Sequence, residues 1–214
     1  MKIDEFIKAL KDINIDISDK SLKDLDTYYQ MLVSYNEKVN LTRITNKEDV
    51  YLKHFYDSLT LNEIVDLSKI NSICDIGTGA GFPGLVLKIV FPNLSVTLVD
   101  SLNKRLLFID EVIKALGLEN VKTVHARGED FIKEKQEFDL VTSRAVMKLK
   151  PLSTICLPLV KKGGYFVAMK AHCEEEITEA KSTISKYHGK IVLEHHFLLP
   201  YENSDRTLIK ILKS

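Results

Sequence analysis

A ten-residue stretch beginning at Asp75, DIGTGAGFPG, places four glycines within eight positions and an acid two residues ahead of the first glycine. Gly79, Gly81 and Gly84 fit the G-x-G-x-x-G spacing of dinucleotide-binding loops. Gly77, Gly79 and Gly81 also fit D-x-G-x-G-x-G, the spacing of loops that cradle S-adenosylmethionine. Both kinds of loop lead into a helix N-terminus, where backbone N–H groups favour an anionic group. The glycines alone therefore leave two kinds of cofactor open.

The acids around this loop help to separate the two possibilities. Asp75 ends the strand before the loop, where a carboxylate would repel a pyrophosphate but can help to organise the ammonium group of a methionine moiety. Its alternative role is that of an acid capping a helix or turn. Asp100 ends the second strand, 23 residues after Gly77, where a carboxylate bonds ribose hydroxyls in either kind of cofactor. Asp75 therefore favours S-adenosylmethionine.

Predicted strands and helices alternate around the loop. The apolar runs SICDI, SVTLVD, VKTVHA, FDLVTS and GYFVAMK have strand length, and amphipathic segments separate them. This alternation predicts βαβ units on a parallel sheet, and hence an α/β fold. The last two runs, KIVLEHHFLLP and RTLIKILK, are joined only by the turn-rich YENSD and must pair antiparallel. Such a tail is typical of Rossmann-like methyltransferases rather than of dinucleotide folds.

The beginning of the chain has a different pattern. IDEFIKAL carries apolar side chains at helical spacing, and Ser18 is a suitable N-cap for a second helix. A third helix is predicted over residues 54–65, HFYDSLTLNEIV. We therefore expect an N-terminal helical extension over residues 1–66 and a Rossmann-like domain over residues 67–214.

Length and composition indicate a globular protein of the cytoplasm. The chain has 214 residues, of which 45% are hydrophobic and 28% are charged. We find no signal-peptide pattern and no apolar run near the ~20 residues of a membrane span. Cys74, Cys156 and Cys173 are odd in number and far apart, which predicts buried thiols rather than disulfides or a metal site. A monomer is expected, since no long exposed apolar edge is evident.

Charge is unevenly distributed along a chain whose formal net charge is zero. Residues 1–66 hold nine basic and 13 acidic side chains, whereas residues 101–170 hold 13 basic and eight acidic ones, a net charge of +5. A basic segment inside a neutral chain can present a local anion-binding face. Ordinary scatter of charges on solvated helices explains the same counts, so charge alone does not decide whether an anion-binding face is present.

The motifs after the third and fourth strands bear on the substrate. In ARGED, Gly128 leaves room for an adenine ring and Glu129 or Asp130 can accept from its exocyclic amine, unless these acids are simply solvated. TSRA, at the end of the fourth strand, lacks the Asn/Asp-Pro-Pro-aromatic clamp that methylation of an exocyclic base amine requires. No cysteine follows a proline, as methylation at C5 of a pyrimidine would need.

Taken in order, NLT at residues 40–42, HFYDSL, DIGTGAGFPG, VDSLNKRLLFI, ARGEDF and FDLVTSRA resemble the RsmG (GidB) family. Its members are bacterial methyltransferases that modify N7 of one guanosine in 16S ribosomal RNA. The resemblance covers essentially the whole chain. It implies a Rossmann-like class I fold with a seven-stranded, mostly parallel sheet, an antiparallel last strand and an N-terminal helical extension. It also implies S-adenosylmethionine as cofactor and 16S ribosomal RNA or the small ribosomal subunit as partner.

The family's cofactor contacts can be carried onto this chain residue by residue. The resemblance places them on Gly77, Phe82, Gly128, Glu129 and Arg144. The general logic of the fold adds Asp75, Gly79 and Asp100. Two departures are mild: Gly128 stands where many relatives have a larger apolar residue, and Asn103 replaces a common glycine.

The implied chemistry needs no general base, because guanine N7 carries a lone pair and no proton at neutral pH. Catalysis is then a matter of positioning, and we predict no catalytic acid or base. Arg144 is expected to bind the methionine carboxylate or a phosphate, or to stack beside the target base. Lys104, Arg105 and Arg127 are candidate phosphate contacts, with a solvated helix start as the alternative. His54 is a further candidate RNA contact, with a structural role as its alternative.

Two other functions stay open on the sequence. One is a methyltransferase of the same fold that acts on a small molecule or a protein. The other is a nicotinamide-dependent dehydrogenase, against which Asp75 and the antiparallel tail argue.

Overall fold

A computed structural model describes residues 1–144, 146–171 and 173–214. Ala145 of the TSRA motif and His172, one of the six histidines, lie outside the described residues. The described chain contains one seven-stranded sheet. Its strands are β1 (Ser72–Ile76), β2 (Ser95–Asp100), β3 (Val121–His125), β4 (Phe138–Arg144), β5 (Val160–Lys170), β6 (Gly189–Leu198) and β7 (Asp205–Lys213).

The strand order is β3-β2-β1-β4-β5-β7-β6. The first five strands are mutually parallel, whereas β7 is antiparallel to both β5 and β6. The predicted mostly parallel sheet with an antiparallel last strand is therefore confirmed. The order reverses between β1 and β4, and ligands of open α/β sheets bind outside the carboxyl ends of the strands at such a point.

Helices lie on both faces of the sheet, and four of those in the described chain precede its first strand. The helices are α1 (Ile3–Asp12), α2 (Asp19–Asn36), α3 (Lys47–Val50), α4 (Asp57–Leu59), α5 (Gly84–Val90), α6 (Asn103–Leu116), α7 (Gly128–Phe131), α8 (Leu149–Cys156) and α9 (Glu174–Lys186). A π-helix (Tyr51–Tyr56) and 3₁₀ turns (Thr60–Glu63, Leu67–Lys69, Ile132–Glu134, Leu157–Leu159) join some of them. The predicted cap at Ser18 is confirmed, because Ser18 accepts from the backbone N–H of Ser21 at 3.1 Å. Gly117 ends α6 in the left-handed conformation.

The third predicted helix differs from the structure. The chain is already helical from Lys47, because Asn46 caps α3 by accepting from the backbone N–H groups of Glu48 and Asp49. Helical structure then continues through the π-helix and α4 as far as Glu63. The wider π turn is a local departure from the 3.6-residue spacing, which is a frequent feature of functional sites.

The N-terminal helices and one face of the sheet share a single apolar cluster. Phe6 of α1 and Leu25 of α2 belong to the same cluster as Leu85 of α5 and Phe108 of α6. The division at residue 66 therefore stays a prediction about chain organisation. The three cysteines are free and buried, as expected. Among the described residues, no helix has both the length and the apolar character of a membrane span.

Candidate active site

The glycine loop leaves β1 and leads into α5. Gly77, Gly79 and Gly81 have backbone φ values of +71°, +62° and +104°, which residues other than glycine rarely adopt. A Cβ added to Gly79 would meet nothing within 4 Å, so this residue faces open space. A Cβ on Gly77 would instead lie 2.5 Å from Cγ2 of Val146. The glycine spacing therefore serves the shape of the loop and keeps its outer face accessible.

Asp75 lies beneath the loop rather than on the wall of the cleft. Its Oδ2 accepts from the Thr78 hydroxyl at 2.7 Å and from the Gly84 N–H at 2.9 Å. Oδ1 is buried and has no hydrogen-bond partner among the described residues. Burial raises the pKa of Asp75 to about 6. These hydrogen bonds are those of an acid that organises the loop and the start of α5; direct contact with a cofactor stays a prediction.

Asp100 ties the loop to the start of α6. Its Oδ2 accepts from the Gly79 N–H at 2.9 Å and lies 3.3 Å from Nη1 of Arg105, while Oδ1 accepts from the Leu102 N–H at 2.9 Å. Arg105, a candidate phosphate contact, is thus turned towards the cofactor side of the cleft. Its Nε is buried without a hydrogen-bond partner among the described residues.

A cleft of about 630 Å³ opens at the carboxyl ends of β1, β2 and β4. It brings together most of the residues that the sequence singled out. Those on its wall are Gly77, Gly79, Phe82, Asp100, Gly128, Glu129 and Arg144 from the cofactor set, and His54, Arg105 and Arg127 from the RNA set. Lys104 is exposed and lies outside this wall. At Gly128, an added Cβ would lie 2.6 Å from Cγ2 of Ile155, so the close packing of α8 already requires a glycine there.

Arg144 enters a buried charge cluster that sequence reasoning missed. Its Nη1 donates to the carbonyl of Lys53 at 3.0 Å and to Oδ2 of Asp57 at 3.1 Å. Nε of Arg206, from β7, donates to Oδ1 of the same carboxylate at 3.0 Å. Only 5% of the Asp57 side chain is exposed, so one buried carboxylate joins two arginines. The guanidinium of Arg144 also lies 5.3 Å from the ring centroid of Phe82, within cation–π distance.

His54 is buried on the π-helix and forms part of the same wall. Its ring stacks on Phe82 with centroids 4.3 Å apart and planes 15° from parallel. Burial, together with the positive charge of Arg144, lowers the pKa of His54 to about 3. The imidazole is therefore neutral at physiological pH and a poor general base.

Tyr28, on α2, holds the glycine loop from the N-terminal side. Its hydroxyl donates to the carbonyl of Ala80, and its ring packs on Phe82 with centroids 5.5 Å apart. A Cβ on Gly81 would lie 2.6 Å from the Tyr28 oxygen. Burial raises the pKa of Tyr28 well above its ordinary value, so the hydroxyl keeps its proton. Through Tyr28, α2 thus positions the loop directly.

Changing Tyr28 to phenylalanine is expected to loosen the loop. The substitution keeps the ring but leaves the buried Ala80 carbonyl without its donor, a loss of about 1–3 kcal/mol in the free energy of unfolding. We also expect weaker binding of S-adenosylhomocysteine, measured by calorimetry. Tyr29→Phe is the matched control, because Tyr29 lies on the same helix and its exposed hydroxyl donates to the carbonyl of Thr45. Equal behaviour of the two variants would contradict a role of Tyr28 in positioning the loop.

The strand order, the glycine loop and the acid at the end of β2 together define a class of protein, the Rossmann-like methyltransferases. Solved structures agree on the fold. A ribosomal protein L11 methylase from Lactobacillus delbrueckii subsp. bulgaricus superposes with a TM-score of 0.58 at 13% identity, covering 80% of this chain and 81% of that chain. TYW2 of M. jannaschii, solved in complex with AdoMet, gives a TM-score of 0.56 at 17% identity, covering 69% of this chain and 73% of that chain.

Sequence comparison identifies the family. The model of the family described as GidB, rRNA small subunit methyltransferase G, matches residues 21–204. A relative from Bacillus subtilis (strain 168), named ribosomal RNA small subunit methyltransferase G, is 50% identical over 217 residues, covering 100% of this chain and 91% of the relative. A relative of the same name from Listeria monocytogenes serotype 4b (strain CLIP80459) is 46% identical over 218 residues, covering 100% of this chain and 92% of the relative. The chain belongs to the rRNA small subunit methyltransferase G family, and it is a methyltransferase.

Proposed function

We propose that this chain transfers the methyl group of S-adenosylmethionine to N7 of a specific guanosine in the 16S ribosomal RNA of the small subunit. Membership of the family over the whole chain is the observation that carries the proposal. The cleft at the ends of β1, β2 and β4 supports it, because it gathers the glycine loop, Asp100 and Arg144 on one wall.

The residues present fit S-adenosylmethionine. The cleft has the volume of an ordinary small-molecule site, roughly 300–1,000 Å³. Gly79 offers open space for the methionine moiety, and Asp100 stands where ribose hydroxyls are bound. We propose the following residues as the cofactor site: Gly77, Gly79, Phe82, Asp100, Gly128, Glu129 and Arg144, with Asp75 supporting the loop from beneath.

The chemistry asks the protein to position its reactants. S-adenosylmethionine, when bound, supplies a methyl group on a sulfonium, so the N7 lone pair forms the new C–N bond while the C–S electron pair returns to sulfur. Holding two reactants in line at near-attack distance is worth about 7–11 kcal/mol in favourable cases. His54, with its pKa near 3 and both ring nitrogens engaged, is suited to holding this geometry rather than to taking a proton.

Methylation assays with separated fractions test the proposal. Labelled S-adenosylmethionine is incubated with 30S subunits, free 16S RNA and ribosomal proteins, and the labelled nucleotide is mapped by mass spectrometry of the digested RNA. We expect label in RNA, at N7 of one guanosine. Label confined to protein or small molecules would end the RNA proposal, and label at another base atom would end the N7 assignment.

The RNA face is proposed to include Arg127 and Lys104, with Arg105 serving the cofactor instead. Arg127 is exposed on the rim of the cleft, and Lys104 is exposed on the first turn of α6. Arg105 contacts Asp100. Lys104 and Arg105 are therefore a matched pair of neighbours on α6. Lys104 faces solvent, whereas Arg105 faces Asp100.

Single alanine variants of this pair should separate the two roles. Lys104→Ala is expected to keep cofactor affinity within about twofold and to flatten the slope of log RNA affinity against log salt by about 0.7–0.9, one phosphate contact. Arg105→Ala is expected to weaken binding of S-adenosylhomocysteine several-fold with no change in slope, because Asp100 loses a partner. Filter binding over a salt series and calorimetry give the two readouts. An unchanged slope in Lys104→Ala removes this lysine from the RNA face.

We propose that the protein works in the cytoplasm, where its ribosomal substrate is assembled, and as a monomer. Equilibrium sedimentation at micromolar concentration checks the monomer, and a mass of twice 24.4 kDa would contradict it.

A further inference from the structure

The protonation of His54 follows from the two side chains that meet its ring nitrogens. Nη2 of Arg144 lies 3.3 Å from Nδ1 of His54. A guanidinium nitrogen can only donate, so Nδ1 must accept. The imidazole is neutral, as its lowered pKa indicates, and its one ring proton therefore lies on Nε2.

The hydroxyl of Thr42 is in consequence a donor only. Nε2 of His54 lies 3.0 Å from Oγ1 of Thr42 and donates to it. The backbone N–H of Ile44 donates to the same oxygen, also at 3.0 Å. A hydroxyl oxygen has two lone pairs and one proton, and both lone pairs of Thr42 are taken. Its proton is the one hydrogen-bonding capacity that stays available to a ligand.

This donor is held on the wall of the cleft. Oδ1 of Asn36 accepts from the backbone N–H groups of Leu41 and Thr42, at 2.7 and 3.0 Å, which fixes the backbone of this segment. Thr42 is half-buried and lines the same cleft as Gly77 and Arg144. These last two residues come from the ends of β1 and β4, the point where the strand order reverses.

We propose that the Thr42 hydroxyl donates a hydrogen bond to O6 of the target guanine, and thereby selects guanine and aligns N7 with the methyl group. His54 and Arg144 act as positioning residues that keep this hydroxyl a donor. The proposal rests on the proposed methylation of guanine N7. Guanine presents two acceptors, N7 and O6, on one edge, whereas adenine presents N7 and an N6 amine donor. A donor-only hydroxyl complements O6 and opposes the amine.

A double cycle between protein and RNA tests this contact. Small subunits are reconstituted with 16S RNA that carries either guanosine or 2-aminopurine riboside at the target position; 2-aminopurine keeps N7 but lacks O6. Methyl transfer by wild type and by Thr42→Val is compared as kcat/KM on each particle. We expect Thr42→Val to lose roughly 10- to 100-fold on guanosine and less than about threefold on 2-aminopurine, because the missing O6 has already removed the contact. Thr42→Ser should restore most of the preference for guanosine.

Each outcome bears on a separate claim. An equal loss on both particles would mean that Thr42 acts through protein structure, and it would overturn the O6 contact. If Thr42→Val does not fold, the wild-type protein alone tests the contact. A wild-type preference for guanosine over 2-aminopurine of less than about tenfold overturns the O6 contact as well. Wild-type methylation at an atom other than guanine N7 would instead defeat the proposed function.

The positioning role of His54 has its own readout. His54→Phe keeps a ring to stack on Phe82 but removes the donor to Thr42, so the threonine oxygen regains a free lone pair. We expect the preference for guanosine over 2-aminopurine to fall towards that of Thr42→Val while affinity for S-adenosylhomocysteine changes little. An unchanged preference would remove His54 from this role.

Discussion

Replacing Gly79 with valine is expected to abolish cofactor binding while the protein stays folded. A Cβ at this position meets no protein atom within 4 Å, so the new side chain enters the space proposed for the methionine moiety. The φ of +62° adds backbone strain of roughly 1–2 kcal/mol for an L residue. We expect affinity for S-adenosylhomocysteine to fall by about 100-fold or more, equivalent to about 2.7 kcal/mol, measured by calorimetry.

Gly117→Val is the matched control for strain. Gly117 ends α6 with a φ of +60°, and a Cβ there also meets nothing within 4 Å. Both variants should therefore lose similar stability in urea unfolding, while Gly117→Val keeps its affinity for S-adenosylhomocysteine. Wild-type affinity in Gly79→Val would refute the placement of the cofactor against this loop. Equal loss of affinity in both variants would assign the effect to stability.

Changing Asp57 to asparagine is expected to cost about 3–5 kcal/mol in the free energy of unfolding. The carboxylate accepts from both Arg144 and Arg206 and is almost wholly buried, so its neutralisation leaves two guanidinium groups facing each other without a counter-charge. Activity should fall as well, because Arg144 lines the cleft. Urea unfolding and methyl-transfer assays measure the two losses.

Asp130→Asn is the control for this substitution. Asp130 pairs with Lys133 at 2.7 Å on the surface, and its side chain is 59% exposed. Water and salt screen such exposed pairs, so they contribute little to stability and this variant should be nearly neutral. A loss in Asp57→Asn no larger than that of Asp130→Asn would show that the two arginines are neutralised in some other way.

Local patterns predicted the sheet and the loop, because each depends on residues close in sequence. The alternation of strand and helix segments predicted the parallel strands, and the short YENSD connection predicted an antiparallel pair at the end. The loop glycines were found because positive φ values demand glycine at fixed spacing. Asp100 followed from its place at the end of a buried strand, and the structure puts it on the cleft wall.

Contacts between distant segments could not be predicted in this way. Asp57 lies within the quoted HFYDSL motif, but its role depends on Arg144 and Arg206, which the sheet brings to it from two strands far along the chain. Tyr28 belongs to an apolar stripe typical of any amphipathic helix, and only the fold shows that its hydroxyl reaches the loop. For Asp75, the direction of the side chain depends on the turn that follows, so its position beneath the loop was not evident from its spacing.

The shared apolar cluster has a consequence for synthesis on the ribosome. The chain emerges N-terminus first, so α1 and α2 are made before the helices that cover their apolar faces. Because α2 packs against both α5 and α6, its apolar face is not fully covered until α6, which ends at Leu116, has left the exit tunnel. More than half of the polypeptide must therefore be translated before this part of the core closes, and during that interval the nascent helices are natural clients for chaperones.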